Sequence, residues 1–431
     1  MPGRDAGRNR PCTIAPWRDM NASVTFPIDA VRARFPALDP HGLERAFFDA
    51  PGGTQVCEPA IERMAAHLRD GTANSGGAFA TSRVTDALSA QAHAAIADLL
   101  GGRAEEIAFG PNMTSLTLAA SRALARDWTQ GDNLILTRLD HDANVAPWLE
   151  AAADKAVEVR WLDFSPETGL LDYDALPGLI DARTRVVAVG AASNALGTLN
   201  NVPAIVSVAR ARWEALVYVD AVQSVPHVVT DVAALGCDFL ACSPYKFFGP
   251  HQGVLWGRAE AWERLRAYKV RPAGNRGGHR LETGTPSFEG QAGVLGTVEY
   301  LDWLGGETAP QASSRRARLI AAMEASTAYE RGLGERLLAG LAEIEGLRLY
   351  GPPTMDGRVP TFAFTLAGHR PDAVAAHLAQ RHLFAWSGHF YAVEVIRRLG
   401  LEEAGGLVRV GLCHYSAAHE IERLIAALKE L

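Results

Sequence analysis

The strongest constraint on this chain is the way its apolar residues are grouped between about residue 40 and residue 290. Short, near-continuous apolar runs, rich in β-branched and aromatic residues, alternate there with segments of helical period. The runs Ile107–Phe109, Leu134–Thr137, Val157–Leu162, Arg185–Gly190, Leu216–Val219, Phe239–Ala241 and Val254–Trp256 read as strands. Between them, Ser115–Arg126 sets Leu116, Ala119, Ala120 and Ala123 on one helical face, and Ala204–Trp213 reads as another helix. A strand without polar alternation has both faces covered. The pattern therefore predicts a large, doubly wound, mostly parallel α/β sheet with helices on each side.

After about residue 305 the texture changes. A long helical pattern over Ser314–Ile344, interrupted by Gly332 and Gly334, leads to strands near Leu347–Tyr350 and Val359–Thr365. A helix at Asp372–Gln380 comes next, with strands near Phe384–Trp386 and Val408–Val410. The final helix carries Ile421, Leu424, Ile425 and Leu428 on one face, with Ser416 as its expected N-cap. With 431 residues the chain exceeds one ordinary core. The expected division is a disordered extension at 1–21, a large domain at 40–304, and a smaller α+β domain made of 22–39 and 305–431. The extension is rich in Arg and Pro and has no apolar h-region, so it is not read as a secretory signal; Met20 is a possible alternative start.

The net charge of −7 is spread along the chain, with no basic stripe for nucleic acid and no polybasic cluster for a lipid surface. No apolar run approaches the roughly 18 residues that would cross a bilayer. The five cysteines are scattered and form no C-x-x-C pair, which argues against a disulfide framework or a zinc site. A reducing, cytoplasmic setting is the expectation.

The residues just beyond each apolar run are more informative. In an open α/β sheet, ligands bind beyond the carboxyl ends of the strands. The first run leads into Gly110-Pro111-Asn112-Met113-Thr114 and a helix, and the second into Asp140-His141-Asp142-Ala143-Asn144. Later runs end at Ser193-Asn194, at Asp220 with Gln223 close behind, and at Ser243-Pro244-Tyr245-Lys246. Taken singly, such a Lys is usually a surface residue, such an Asp a cap, and such a His structural. Five strand ends with chemistry on the same side make a site. A helix N-terminus with hydroxyl donors, Thr114 and Ser243 being candidates, suits a phosphate. A strand-end Asp can stay ionised against a protonated heterocycle. A Lys flanked by Tyr245, Phe247 and Phe248 can lose its proton and attack a carbonyl. Phosphate anchor, carboxylate and amine together match the needs of pyridoxal 5′-phosphate (PLP).

These residues and their neighbours resemble the class V aminotransferase family of PLP fold type I, in its cysteine desulfurase-like and selenocysteine lyase-like branch. The resemblance covers nearly all of residues 45–430. It rests on Asp140-His141-Asp142-Ala143-Asn144 through Pro147-Trp148, Ser193-Asn194-Ala195-Leu196-Gly197-Thr198, Val219-Asp220-Ala221-Val222-Gln223, Cys242-Ser243-Pro244-Tyr245-Lys246 through Gly249-Pro250, and Glu282-Thr283-Gly284-Thr285-Pro286. Phe48-Asp49-Ala50-Pro51-Gly52-Gly53-Thr54-Gln55 and Tyr245 to His251 carry the texture of that branch. The resemblance implies that Lys246 joins PLP as a Schiff base, Asp220 faces the pyridine nitrogen, and Gln223 bonds the phenolate oxygen. It also implies that His141 stacks on the ring and moves protons, and that Asn194 lies beside cofactor and substrate. Met113, Thr114, Ser243 and Tyr245 are expected around the phosphate, and Arg409 on the substrate carboxylate. Thr285 is expected to reach the phosphate of a neighbouring subunit, which implies a homodimer with shared sites.

The chain also departs from that pattern. The stretch matching the sulfur-accepting mobile loop of cysteine desulfurases is Ala385-Trp386-Ser387-Gly388-His389-Phe390-Tyr391, which holds no cysteine. Trp386 stands where a substrate-side arginine is expected, and Tyr245 where a His usually precedes the lysine. His389 and Tyr391 are candidate substrate-side groups, and Cys413 is expected as a buried structural thiol. The leading expectation is a lyase acting on an amino acid with a β or γ leaving group, C–S cleavage included. An aminotransferase or epimerase would use the same residues, and a non-catalytic PLP-holding dimer is the reading from another class.

Overall fold

A computed structural model describes residues 26–38 and 44–431. The expected extension at 1–21, with Cys12 and Met20, lies outside the described residues. A short strand, β1 (Ala46–Phe47), precedes a seven-stranded sheet. That sheet consists of β2 (Ile107–Gly110), β3 (Asn133–Thr137), β4 (Glu158–Leu162), β5 (Thr184–Gly190), β6 (Leu216–Asp220), β7 (Phe239–Cys242) and β8 (Gly253–Gly257), in the order β2-β8-β7-β6-β5-β3-β4. Every residue of β3, β6, β7 and β8 is buried, as continuous apolar runs require. Strands β3 to β7 are mutually parallel, whereas β8 runs antiparallel to β2 and β7. The stretch 243–252 between β7 and β8 holds only a single 3₁₀ turn, too short for the crossover that a parallel neighbour needs.

The second sheet is antiparallel, with β9 (Leu347–Tyr350), β10 (Thr361–Leu366), β12 (Trp386–Gly388) and β13 (Leu407–Gly411) in the order β12-β13-β10-β9. Between β10 and β12, β11 (Leu383–Phe384) pairs in parallel with β1 instead. The one strand expected near Phe384–Trp386 is thus two, because its halves have different partners. Two further expectations need correction. The helix Arg315–Ala342 runs unbroken through Gly332 and Gly334. The roughly 1 kcal/mol that a helical glycine costs is offset by burial of Leu333, Leu337 and Leu341, and a Cβ at Gly334 would collide with the Met355 sulfur. The last helix, Ala418–Leu428, is capped at Ala417, whose N–H donates to Glu420 Oε2 at 2.8 Å. Ser416 instead accepts the Cys413 N–H at 3.2 Å.

Contacts between the two sheets' surroundings are dense. Phe35 packs 5.2 Å from the Tyr300 ring and 4.9 Å from Tyr415, while Arg32 bonds the Tyr415 carbonyl and Glu420. Buried His227 and Glu330 pair at 2.9 Å. Arg358 links the loop after β5 to the second sheet, donating to the carbonyls of Leu196, Thr361, Tyr350 and Pro352. Among the described residues, no helix is long and apolar enough to cross a membrane, and Cys57, Cys237, Cys242 and Cys413 are free and buried.

Candidate active site

The site forms where β5, β6 and β7 end together. Gly190 stands level with Asp220, and Asp220 with Ala241. Asp220 is fixed by its Oδ1, which accepts the Val222 N–H at 2.9 Å. After β7 the chain makes the 3₁₀ turn Pro244–Lys246. The segment after β1 clamps this turn from outside. Thr54 N–H donates to the Tyr245 carbonyl at 3.0 Å, its Oγ1 accepts the Phe248 N–H at 2.8 Å, and Cys57 N–H reaches the Phe248 carbonyl. These bonds hold Phe248 at φ 75°, an uncommon conformation for a bulky residue, two positions from the lysine. The Lys246 amine donates to the Pro51 carbonyl.

Lys246 is buried, and burial is the main cause that pushes its amine down to about 7; Arg409 adds to the shift and Asp220 opposes it. Burial likewise raises the Asp220 carboxyl to about 6, against the pull of its hydrogen bond and of Lys246. His141 is held neutral, pushed down to about 3 by burial and by Lys246 and Arg409. Its Nδ1 accepts the Ala143 N–H at 2.9 Å, which leaves the proton on Nε2. These mutual influences place Lys246, Asp220, His141 and Arg409 in one electrostatic neighbourhood. Asn194 joins it through its carbonyl, which accepts from Arg409 at 2.9 Å.

The opposite end of the site is a helix start. Gly110 of β2 pairs with Gly253, and Cys242 of β7 with Val254, so β8 brings the start of helix Met113–Leu124 beside Ser243. The approach is close, since a Cβ at Gly253 would sit 2.7 Å from the Met113 nitrogen. Met113 and Ser243 are buried and Thr114 is exposed. Tyr245 stacks on His251 with centroids 4.9 Å apart. Gln223 is buried and its Nε2 donates to Thr361 Oγ1 at 3.1 Å, leaving Oε1 without a partner.

Two other predicted residues lie differently. Thr285 is exposed, in a loop that Glu282 ties to His93 at 2.8 Å, to His279 at 2.6 Å and to the Phe109 N–H. His389 lies at the surface, and its Nδ1 accepts the Tyr391 N–H at 3.0 Å. Trp386 is exposed and packs on Gly52, where a Cβ would collide with its indole nitrogen. Sequence reasoning missed the Pro51 carbonyl, Asp49 and Phe390. The run from Phe48 to Gln55 was the available signal for the first two. Asp49 has a buried, unpartnered Oδ1, and burial raises its carboxyl to about 6.

The donor set fits PLP. Arg409 Nε, Asn194 Oδ1 and Gln223 Oε1 are buried polar atoms with no partner, and such atoms are costly unless something bonds them. Around them stand a buried amine, a strand-end carboxyl and a helix N-terminus.

A family model for class V aminotransferases matches residues 46–424. The chain belongs to that family. A cysteine desulfurase from Pectobacterium carotovorum is 31% identical over 426 residues, covering 95% of this chain and 98% of the relative. An aminotransferase-like protein from Gibberella zeae is 32% identical, covering 95% and 99%. Among solved structures, the apo cysteine desulfurase of Thermococcus onnurineus matches with a TM-score of 0.84 at 26% identity, over 95% of this chain and 98% of that one. As a class V aminotransferase-family member, the chain is a PLP-dependent enzyme of fold type I, cysteine desulfurase-like.

Proposed function

We propose that this class V enzyme cleaves a carbon–sulfur or comparable β or γ bond of an amino acid, with PLP held between Lys246 and Asp220. One observation carries the reading: a buried Lys246 amine, with no ion pair to any described acid, at the end of the strand next to Asp220. When bound, PLP supplies an aldehyde that takes up the amino acid's nitrogen and a protonated ring that draws off the electron pair released at the α-carbon. Lys246 Nζ, partly neutral near pH 7, takes the α-proton and returns it. Asp220 holds the charge on the ring nitrogen. His141, neutral with its proton on Nε2, would lie against the bound ring and offer that proton. Turning the Gln223 amide about would set its oxygen on the Thr361 hydroxyl and free its NH₂ for the phenolate. Met113, Thr114, Ser243 and Tyr245 would hold the phosphate. Arg409 takes the substrate carboxylate, and Asn194 and His389 lie on the substrate side. Thr285, exposed in its anchored loop, would serve the neighbouring copy's phosphate in a homodimer.

The loop at 385–391 has no cysteine, and burial raises the thiols of Cys57, Cys237, Cys242 and Cys413. A released sulfur atom therefore has no acceptor thiol among the described residues. This observation keeps transamination or epimerisation as the second reading. The test is a product screen of PLP-loaded protein against a panel of amino acids. Sulfide or another leaving group together with a keto acid supports the lyase. A keto acid with the leaving group retained supports the transaminase. Failure of borohydride to fix the colour on Lys246 removes both readings.

A further inference from the structure

Residues 388–391 form a turn against the site. Gly388, Phe390 and Tyr391 all lie in the left-handed region, at φ 116°, 54° and 57°. Bulky residues rarely adopt that conformation, so it persists only where surrounding contacts impose it. Here Asn194 Nδ2 donates to the Phe390 carbonyl at 2.9 Å, and the Asp142 N–H to the Tyr391 carbonyl at 2.7 Å. Each ring then meets one site residue. The Arg409 Cζ lies 4.3 Å from the Phe390 ring centroid, and Tyr391 stacks on His141 at 5.6 Å with an interplanar angle of 21°.

Arg409 needs such support. It is buried, its Nη1 bonds the Asn194 carbonyl, and its Nε is buried without a partner. Among the described residues it forms no ion pair that would fix its plane. The contacts close into a circuit: Arg409 donates to Asn194, Asn194 donates to Phe390, and the Phe390 ring lies against the Arg409 guanidinium. We propose that Phe390 is a positioning residue for the substrate carboxylate, setting the guanidinium plane by cation–π stacking and the Asn194 amide through its own carbonyl. The proposal rests on the carboxylate role given to Arg409 above.

The test uses PLP-loaded protein and propionate, which carries the carboxylate and no amine, with binding measured by calorimetry. Phe390→Gly keeps a residue suited to positive φ and removes the ring, whereas Phe390→Tyr restores it. The dissociation constant for propionate is expected to rise about tenfold in Phe390→Gly and to stay within about twofold of wild type in Phe390→Tyr. With an amino-acid substrate, KM should rise in Phe390→Gly while kcat changes little, because the lost binding is shared by ground and transition states. Should Phe390→Gly not fold, Phe390→Leu, which keeps apolar bulk without the π-face, must show the same weakening. Wild-type propionate affinity in the ring-less variant, alongside weakening in Arg409→Gln, overturns the role of Phe390 and leaves the carboxylate role of Arg409 standing. Wild-type affinity in Arg409→Gln removes that carboxylate role itself.

Discussion

Arg358 and Arg409 are both buried at 4% exposure, neither forms an ion pair among the described residues, and burial pushes both guanidinium groups down to about 9. They differ in what their N–H groups do. Arg358 donates from Nε at 2.9 Å and from Nη1 at 3.0 and 2.5 Å, and its Nη2 bonds the Tyr350 carbonyl and shares the Pro352 carbonyl with Nε. Arg409 has one such bond, to Asn194, and an Nε with nothing to meet. Both regions are buried and cationic, but only one is complete by itself. An incomplete buried cation is tolerated where an anion is meant to arrive, and that difference separates a structural junction from the proposed carboxylate site.

The largest expected effect tests the incomplete region. Lys246→Ala should lower the rate of amino-acid turnover by about 10⁴-fold, since the amine is proposed as both nucleophile and base. The cofactor-free variant should be at least as stable as wild type in denaturant titration, because a buried amine has been removed. A clear loss of stability would make Lys246 structural and erase the contrast with Arg358.

Arg358→Met tests the complete region. It strands the carbonyls of Leu196, Tyr350, Pro352 and Thr361 where the loop after β5 meets the second sheet, and should cost about 4 kcal/mol of stability. The surviving folded fraction should keep wild-type KM, read by active-site-normalised kinetics. Arg409→Gln should do the reverse. It should lower kcat/KM for amino acids by about 10²-fold and leave amines that lack the carboxylate nearly unaffected, which a matched amino acid and amine pair would show.

The two regions were not equally readable in the sequence. Strands β2 to β8 were legible from their apolar residues, although Glu158 and Arg160 interrupt β4, and Lys246, Asp220, His141 and Asn194 stood out because each lies at or just after the end of one of them at the sheet's carboxyl edge. The direction of β8 did not, since it is set by a connection rather than by a hydrophobic period. Arg409 entered through family resemblance alone. Arg358 left no trace: it bonds Leu196 across 162 positions of sequence, and neither residue stands in a periodic pattern. The Pro51 carbonyl on Lys246 was equally hidden, because a backbone acceptor has no residue signature. The left-handed pair Phe390 and Tyr391 reads locally as an unlikely turn, and it makes sense only with Arg409 and His141 against it. Chemistry carried by strand ends is visible in one dimension, whereas chemistry completed by distant loops is not.

The smallest effect, read per unit of pH, separates the two kinds of buried cation again. In cofactor-free protein the Lys246 amine titrates at about 7, well below its ordinary value of 10.5. Between those values the unfolded chain carries a proton that the folded chain lacks, so stability from this group rises with pH across the window and is level below it, by at most about 1.4 kcal/mol per unit. Lys246→Met should remove that rise. Denaturant midpoints of wild type and variant at pH 7.5, 8.5 and 9.5 should therefore converge, with the variant more stable at the lowest pH and its advantage shrinking upward. A constant gap would mean that the amine keeps its proton throughout, as Arg358 keeps its own at neutral pH. Lys246 would then belong with the finished junction rather than with the site.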